Sequence, residues 1–178
     1  MRLNRNVFLI GFMGAGKSTV ARKIARSCGV ASLDMDKYIE RSYGKSIPEI
    51  FDEGGEELFR KIETDTLREL AAADEPMLIS CGGGIVKSEE NRRLLQDGGR
   101  VVHLLVDADE AAARISDKSS RPLFNDIESA RQLCSERLPL YEDAADFTVT
   151  TGGKDLRDIS REVRNHLSKE GVLCRQQG

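Results

Sequence analysis

The chain has 178 residues, of which 39% are hydrophobic and 32% are charged, and its formal net charge is −3. This length and composition are enough for one globular domain, residues 1–178, and the scattered, nearly balanced charges argue against nucleic acid as a partner. The apolar runs are far shorter than the roughly 20 residues that span a bilayer, and no basic-then-apolar leader is visible. We therefore expect a cytoplasmic protein with no membrane partner.

Short apolar runs alternate with amphipathic stretches along the chain, which is typical of parallel strands joined by crossover helices. Apolar stripes predict one helix that ends at Gly29, a second around Phe59 and Leu70, and a third that ends before Gly171. The predicted strands, uniformly apolar as expected for a sheet covered on both faces, are 7–10, 31–34, 77–81, 101–106 and 147–150. The fold class is therefore α/β with a small parallel sheet.

The first predicted strand leads directly into the strongest motif of the chain. Residues 11–18 read Gly-Phe-Met-Gly-Ala-Gly-Lys-Ser and match G-x-x-x-x-G-K-[ST] between a strand and a helix. The glycines allow backbone N–H groups to surround phosphate oxygens, and the positive end of the following helix points at the same anions. Lys17 is predicted to bridge the outer phosphates of ATP, and Ser18 to bind Mg²⁺. The predicted nucleotide-binding residues of this loop are Gly14, Ala15, Gly16, Lys17, Ser18 and Thr19.

A phosphate-binding loop alone does not distinguish a kinase from a GTPase or an ATP-driven machine. No Asn-Lys-x-Asp element that would read guanine occurs, and this length leaves no room for a mechanical second domain. These features favour a kinase that acts on a small molecule.

Two carboxylates, Asp34 and Asp36, come at the carboxyl end of the second predicted strand. Ligands of open α/β sheets bind at that edge, and residues two apart share one face if the strand geometry persists. One carboxylate is expected to hold metal-bound water and the other the acceptor hydroxyl. The alternative for Asp36 is that it simply caps a helix beginning at Lys37.

Three arginines suggest an anionic acceptor. Arg60 and Arg137 are each suited to a bidentate fork on a carboxylate, while Arg121 follows the Ser/Lys-rich segment 116–120, which we expect to be mobile and to act as a lid. For any one of these arginines alone, a surface ion pair remains the alternative. The other candidate acceptor contacts are Phe51, Phe59, Glu63 and the glycines Gly82, Gly83 and Gly84, which permit close backbone approach.

Taken together, these motifs resemble the shikimate kinase family, P-loop kinases with a nucleoside-monophosphate-kinase-like fold. The matching pieces run in the expected order from residue 7 to about residue 146. They are the loop 11–18, Leu-Asp-Met-Asp at 33–36, Ser-Ile-Pro-Glu-Ile-Phe at 46–51, Phe-Arg-Lys-Ile-Glu at 59–63, Gly-Gly-Gly at 82–84, Arg-Pro-Leu at 121–123, and Glu-Arg-Leu-Pro-Leu-Tyr at 136–141.

The resemblance implies a three-layer α/β/α sandwich with parallel strand order 2-3-1-4-5, a substrate-binding subdomain at about 35–65 and a lid at about 115–125. It implies transfer of the γ-phosphate of ATP to the 3-hydroxyl of shikimate, with Mg²⁺, in the pathway to aromatic amino acids. We expect a monomer.

The resemblance also implies a role for each matching residue. Arg60 and Arg137 bind the substrate carboxylate, with Glu63 orienting Arg60, and Gly83 contacts the substrate. Asp36 binds the ring hydroxyls and is the candidate base. Lys17 and Arg121 stabilise the γ-phosphoryl group, and Ser18 and Asp34 hold the metal, Asp34 through water. Arg114 is expected beside the adenine.

Two other functions stay open from the sequence. The first is a related sugar-acid kinase, such as a gluconate kinase, which would share the phosphate loop and some anion-binding residues. The second is a non-catalytic nucleotide-binding regulator, which the joint presence of Lys17, Asp36, Arg60 and Arg121 disfavours.

Overall fold

The computed structural model describes residues 1–114 and 127–175, which form an α/β fold around a five-stranded parallel sheet. The strands are β1 (Arg2–Leu3), β2 (Asn6–Ile10), β3 (Ser32–Asp34), β4 (Leu78–Ser80), β5 (Gly99–Leu105), β6 (Phe147–Thr150) and β7 (Leu173–Cys174). The helices are α1 (Lys17–Cys28), α2 (Met35–Tyr43), α3 (Ile47–Ala71), α4 (Glu89–Gly98), α5 (Ala108–Arg114), α6 (Ile127–Ala144) and α7 (Leu156–Lys169), with a 3₁₀ turn at Ile85–Lys87.

The sheet order is β3-β4-β2-β5-β6, all parallel, so the first parallel strand lies at the centre. Counted along the chain, these strands follow the order 2-3-1-4-5, and that prediction is confirmed. Every residue of β2 is buried, including the polar Asn6 that precedes the apolar run 7–10, as expected for a strand covered on both faces. The loop that follows β2 therefore leaves the sheet at its middle, between β4 and β5.

The structure also contains a two-stranded sheet that was not predicted from the sequence. Strand β1 pairs antiparallel with β7, with Arg2 opposite Cys174 and Leu3 opposite Leu173. Each strand has only two residues and no periodic signal, and the pairing joins the two ends of the described chain. The predicted second and third strands are also shorter in the structure than their apolar runs suggested.

Helices pack in two groups on the sheet: α1 contacts α7, whereas α3, α4 and α6 pack in series. Local signals set their ends. Gly29, in the left-handed region at φ 66°, ends α1, and Ser46 and Glu49 form a capping box at the start of α3. Helix α3 bends at Gly55, whose φ and ψ are not helical. In the described part of the chain, no helix has the length and apolar character needed to cross a membrane.

Candidate active site

The loop between β2 and α1 is built around glycines that no other residue can replace without strain. Gly11 has φ 141° and Gly14 has φ 79°, conformations that side chains rarely adopt. A Cβ on Gly11 would lie 2.4 Å from the Leu104 carbonyl oxygen, and one on Gly14 would lie 2.7 Å from that of Ala111. The loop backbone is therefore packed against β5 and α5, with its concave side at the start of α1.

Lys17, the first residue of α1, is buried, with 9% of its surface exposed. Its ammonium group donates hydrogen bonds to the carbonyl oxygens of Gly11, at 2.8 Å, and Phe12, at 3.1 Å. These bonds hold the cation against the loop, at the helix end that already favours anions. The arrangement suits the phosphates of a nucleotide.

A cleft of about 590 Å³ opens over this loop. Predicted residues that line it are Gly14, Ala15, Gly16, Lys17, Ser18, Thr19, Asp34, Asp36, Gly82, Gly83 and Arg114. Six further residues, none of them predicted as a site residue, also line it: Val20, Ser80, Cys81, Lys154, Leu156 and Ile159. The nucleotide loop and the acceptor residues that follow β3 and β4 thus share one cavity.

Asp34 and Asp36 both line the cleft, but not for the expected reason. Strand β3 ends at Asp34, whose carboxylate accepts a hydrogen bond from the Lys37 N–H at 3.3 Å and caps α2. Asp36 lies in the first turn of that helix. The expectation that both carboxylates continue one strand face is therefore wrong, and the capping role considered for Asp36 belongs to Asp34.

Ser18 is the candidate metal ligand, and its hydroxyl lies 3.0 Å from that of Ser80 at the end of β4. Ser18, Ser80 and Asp34 line the same cleft. Among residues 1–114 and 127–175, no group of three or more His, Cys, Asp or Glu side chains is placed to hold a metal ion. One hydroxyl and one carboxylate nevertheless fit Mg²⁺, which keeps several waters and takes further oxygens from phosphates.

Charged side chains of α2 and α3 meet at the glycine turn after β4. Arg60 Nη1 lies 2.7 Å from Glu63 Oε2, and Glu63 is 1% exposed. A Cβ on Gly82 would lie 3.0 Å from Asp36 Oδ1 and 3.1 Å from Glu63 Oε1, and one on Gly84 would lie 2.5 Å from Arg60 Nη2. The turn therefore brings Asp36, Glu63 and Arg60 together because its residues carry no side chains.

Glu63 is held in an unusual environment for a carboxylate. Burial raises its pKa, the Arg60 guanidinium opposes that shift, and the nearby Asp36 carboxylate adds to it. Burial lowers the pKa of Arg60, but Glu63 and Glu56 outweigh it, so that the net pKa is raised. Arg60 thus stays a cation, held at its Nη1 by a buried partner.

Arg137, on α6, reaches the same turn from the other side. It is buried, and its Nη1 donates to the Gly83 carbonyl oxygen at 3.2 Å. The Tyr141 hydroxyl donates to the same oxygen at 2.5 Å. Tyr141 ends the segment Glu-Arg-Leu-Pro-Leu-Tyr at 136–141, but no sequence signal distinguishes its role from that of a core aromatic.

The remaining predicted residues lie at the edges of the site or outside the described chain. Phe51 is exposed and packs on Phe59, with ring centroids 5.0 Å apart, and neither lines the cleft. Arg114 donates to the backbone oxygen of Thr151 at 2.8 Å and to its hydroxyl at 3.0 Å. Arg121 and the predicted lid, residues 115–125, lie outside the described residues.

A phosphate-binding loop lies at the centre of a parallel sheet, with two carboxylates in the same cleft and two arginines against the adjoining glycine turn. This arrangement defines a P-loop kinase with a small-molecule acceptor. The family model for shikimate kinase matches residues 13–168. The chain belongs to the shikimate kinase family.

Individual relatives agree with this family. The chain is 40% identical to a shikimate kinase from Vibrio parahaemolyticus, over 95% of this chain and 99% of that one. It superposes on a shikimate kinase from Acinetobacter baumannii in complex with shikimate with a TM-score of 0.87 and 34% identity, covering 94% and 95% of the two chains. A gluconokinase from Sinorhizobium meliloti, with a TM-score of 0.62 and 20% identity over 96% and 95% of the chains, shares the fold alone.

Proposed function

We propose that this chain transfers the γ-phosphate of ATP to the 3-hydroxyl of shikimate, giving shikimate 3-phosphate and ADP. The observation that carries the proposal is the cluster of Asp36, Arg60 and Arg137 around the glycine turn. Asp36 and the turn residues Gly82 and Gly83 line the cleft over the phosphate loop, and the two arginines lie against the turn beside it. A carboxylate and two arginines suit an acceptor that carries both hydroxyls and a carboxylate. The gluconate kinase alternative has only the shared fold in its support.

The nucleotide is held by the loop. Backbone N–H groups of residues 14–19 and the Lys17 ammonium contact the phosphates. Lys17 also stabilises the negative charge on the oxygens of the γ-phosphoryl group during its transfer. Arg114, held in place by Thr151, flanks the adenine. Ser18, and Asp34 through water, would hold Mg²⁺, which would supply neutralisation of the phosphate charge.

The acceptor lies against the glycine turn. Arg60 and Arg137 take its carboxylate, and Glu63 keeps the Arg60 guanidinium in place through their 2.7 Å contact. Asp36 accepts a hydrogen bond from the 3-hydroxyl. The hydroxyl oxygen forms a bond to the γ-phosphorus, the bond from that phosphorus to the β-bridging oxygen breaks, and the hydroxyl proton passes late to Asp36.

Two parts of the chain are proposed to move. Residues 35–65, which span α2 and most of α3, form the substrate-binding subdomain, and 115–125 form a lid that brings Arg121 over the γ-phosphoryl group once substrate is bound. The lid would suppress hydrolysis of ATP by water. Truncating 115–125 is expected to abolish shikimate phosphorylation, and an unchanged rate in the truncated enzyme would contradict the gating.

The reaction itself is tested by ³¹P NMR of shikimate incubated with ATP, Mg²⁺ and enzyme. We expect one new monoester signal coupled to the proton at carbon 3, together with equimolar ADP. Phosphorylation at another carbon, or ADP without a sugar-acid phosphate, would contradict the proposal. We further propose that the enzyme acts as a monomer in the cytoplasm without nucleic acid or membrane partners, in line with its nearly balanced charge.

A further inference from the structure

Tyr141 lies one helical turn after Arg137 on α6, so that both side chains face the glycine turn. Its ring is 1% exposed and its hydroxyl donates to the Gly83 carbonyl oxygen at 2.5 Å. Burial raises the pKa of the phenol, which keeps it a protonated donor at neutral pH. The mechanism proposed above makes no use of this hydroxyl.

The Gly83 oxygen accepts from Arg137 as well, at 3.2 Å. A carbonyl oxygen has two lone pairs, so these two donors together account for both. An arginine carries five N–H donors in a fixed fork. The bond to Gly83 therefore sets the direction in which the other N–H groups of Arg137 are presented.

The rest of the surroundings hold Tyr141 rigidly. Its ring stacks on His103, with centroids 5.0 Å apart and an angle of 22° between the planes. The Cδ2 atom of His103 in turn lies 3.5 Å from the position that a Cβ on Gly11 would take. Tyr141 is thus wedged between the phosphate loop and the glycine turn, with its hydroxyl directed at the turn.

We propose that Tyr141 is a positioning residue for the acceptor: its hydroxyl fixes the Gly83 carbonyl and, through that oxygen, directs the Arg137 guanidinium at the substrate carboxylate. This inference rests on the proposed function. Without the hydroxyl, the Gly83 carbonyl oxygen keeps only its bond from Arg137, so the acceptor geometry that orients the guanidinium is less firmly fixed. The phosphate loop keeps its own contacts, so nucleotide binding does not depend on this bond.

The test is Tyr141→Phe, which keeps the ring and its stack on His103. We expect the KM for shikimate to rise about tenfold, because one buried hydrogen bond and the alignment it supports are lost. The Kd for ATP is expected to stay within about twofold. Ser27→Ala is the control, because it also removes a hydroxyl bond to a carbonyl oxygen, that of Ile24 at 3.0 Å, but in the last turn of α1, outside the proposed substrate-binding subdomain. The control is expected to leave both constants within about twofold.

The methyl ester of shikimate, which lacks the negative carboxylate, distinguishes a positioning role of Tyr141 from a purely structural one. If Tyr141 acts through Arg137, Tyr141→Phe lowers the preference for shikimate over the ester, and it adds little to the loss already caused by Arg137→Lys. Equal losses for acid and ester, or full additivity with Arg137→Lys, would overturn the inference.

Should Tyr141→Phe fail to fold, wild-type enzyme labelled with 3-fluorotyrosine supplies a second readout. The ¹⁹F signal of Tyr141 is expected to shift with shikimate and not with the ester, and no difference between them would overturn the inference. Failure of the proposed function and failure of the role proposed for Tyr141 give different results. Wild-type enzyme that does not phosphorylate shikimate refutes that function, whereas active wild-type enzyme with an unchanged KM in Tyr141→Phe refutes only the role of Tyr141.

Discussion

Adding one methyl group at Gly84 should damage the acceptor site without damaging the fold. Gly84 has φ −96° and ψ −1°, which alanine adopts without backbone strain. The gain of about 0.4–1 kcal/mol through the unfolded chain therefore offsets part of the cost of moving Arg60 relative to its buried partner Glu63. The new Cβ would lie 2.5 Å from Arg60 Nη2 and 2.6 Å from Nη1, whereas ordinary contact begins at 3.4 Å. The guanidinium must therefore retreat by about 0.9 Å (3.4 minus 2.5).

If Arg60 binds the substrate carboxylate as proposed, a displacement of this size moves it out of line with that group. Misplacing a positioned group by about 1 Å can cost about a hundredfold, and a weakened hydrogen bond to a charged group costs about 1.5–3 kcal/mol. We therefore expect kcat/KM for shikimate to fall by about 10- to 100-fold. The Kd for ATP should stay within about twofold, because Gly84 does not line the cleft over the phosphate loop.

The assay is coupled ADP release with shikimate varied at saturating ATP, together with ATP binding and thermal unfolding. Arg60→Ala is the background control, because Gly84→Ala should add little once the guanidinium is absent. An unchanged kcat/KM in Gly84→Ala would refute this account of the turn. So would an equal loss in the Arg60→Ala background, or a large loss of ATP affinity.

Three further predictions concern groups elsewhere in the molecule. Ser18→Ala should raise the Mg²⁺ concentration needed for half-maximal activity by about tenfold or more, because the metal site loses an oxygen group. An unchanged Mg²⁺ titration would show that Ser18 does not bind the metal. Asp36→Asn should lower kcat by about 10²- to 10⁴-fold if Asp36 is the base, with ATP binding intact; a normal kcat would assign it to binding alone. Burial, reinforced by the Lys17 charge, lowers the pKa of His103 from 6.5 to about 4. Between these two pH values, His103 is therefore protonated in the unfolded chain but neutral in the native protein. Stability is thus lost as pH falls from about 6.5 towards about 4, by about 2 kcal/mol between pH 7.5 and pH 5. Chemical denaturation should show this loss in wild-type enzyme and a smaller one in His103→Gln, and equal slopes would contradict it.

The nucleotide half of the site could be predicted from sequence because its parts are local. The loop 11–18, the strand before it and the helix after it form one continuous segment, and the pattern has a single structural meaning. The order of the parallel strands was implied by the family resemblance, and the structure confirms it. What failed locally was the end of β3, where the capping preference of Asp34 outweighed continuation of the strand.

The acceptor half depends on contacts that no local pattern carries. Tyr141 and Gly83 are 58 residues apart in sequence, and Ser18 and Ser80 are 62 apart. A buried tyrosine on a helix and a serine at a strand end have many ordinary uses, so their roles emerge only when the sheet order places them. The turn at 82–84 was predicted as a ligand contact, but its packing against Arg60 and Glu63 joins residues that are distant in sequence and has no local signal.

The central claim is that Asp36, Arg60 and Arg137 make this P-loop kinase specific for shikimate. Its most direct test is the initial rate of ADP release from ATP and Mg²⁺ by the purified enzyme across a panel of shikimate, quinate, gluconate and nucleoside monophosphates. The account predicts turnover with shikimate and rates at the no-acceptor background with gluconate and the nucleotides. Turnover confined to gluconate or to a nucleoside monophosphate would contradict the assignment of the acceptor site.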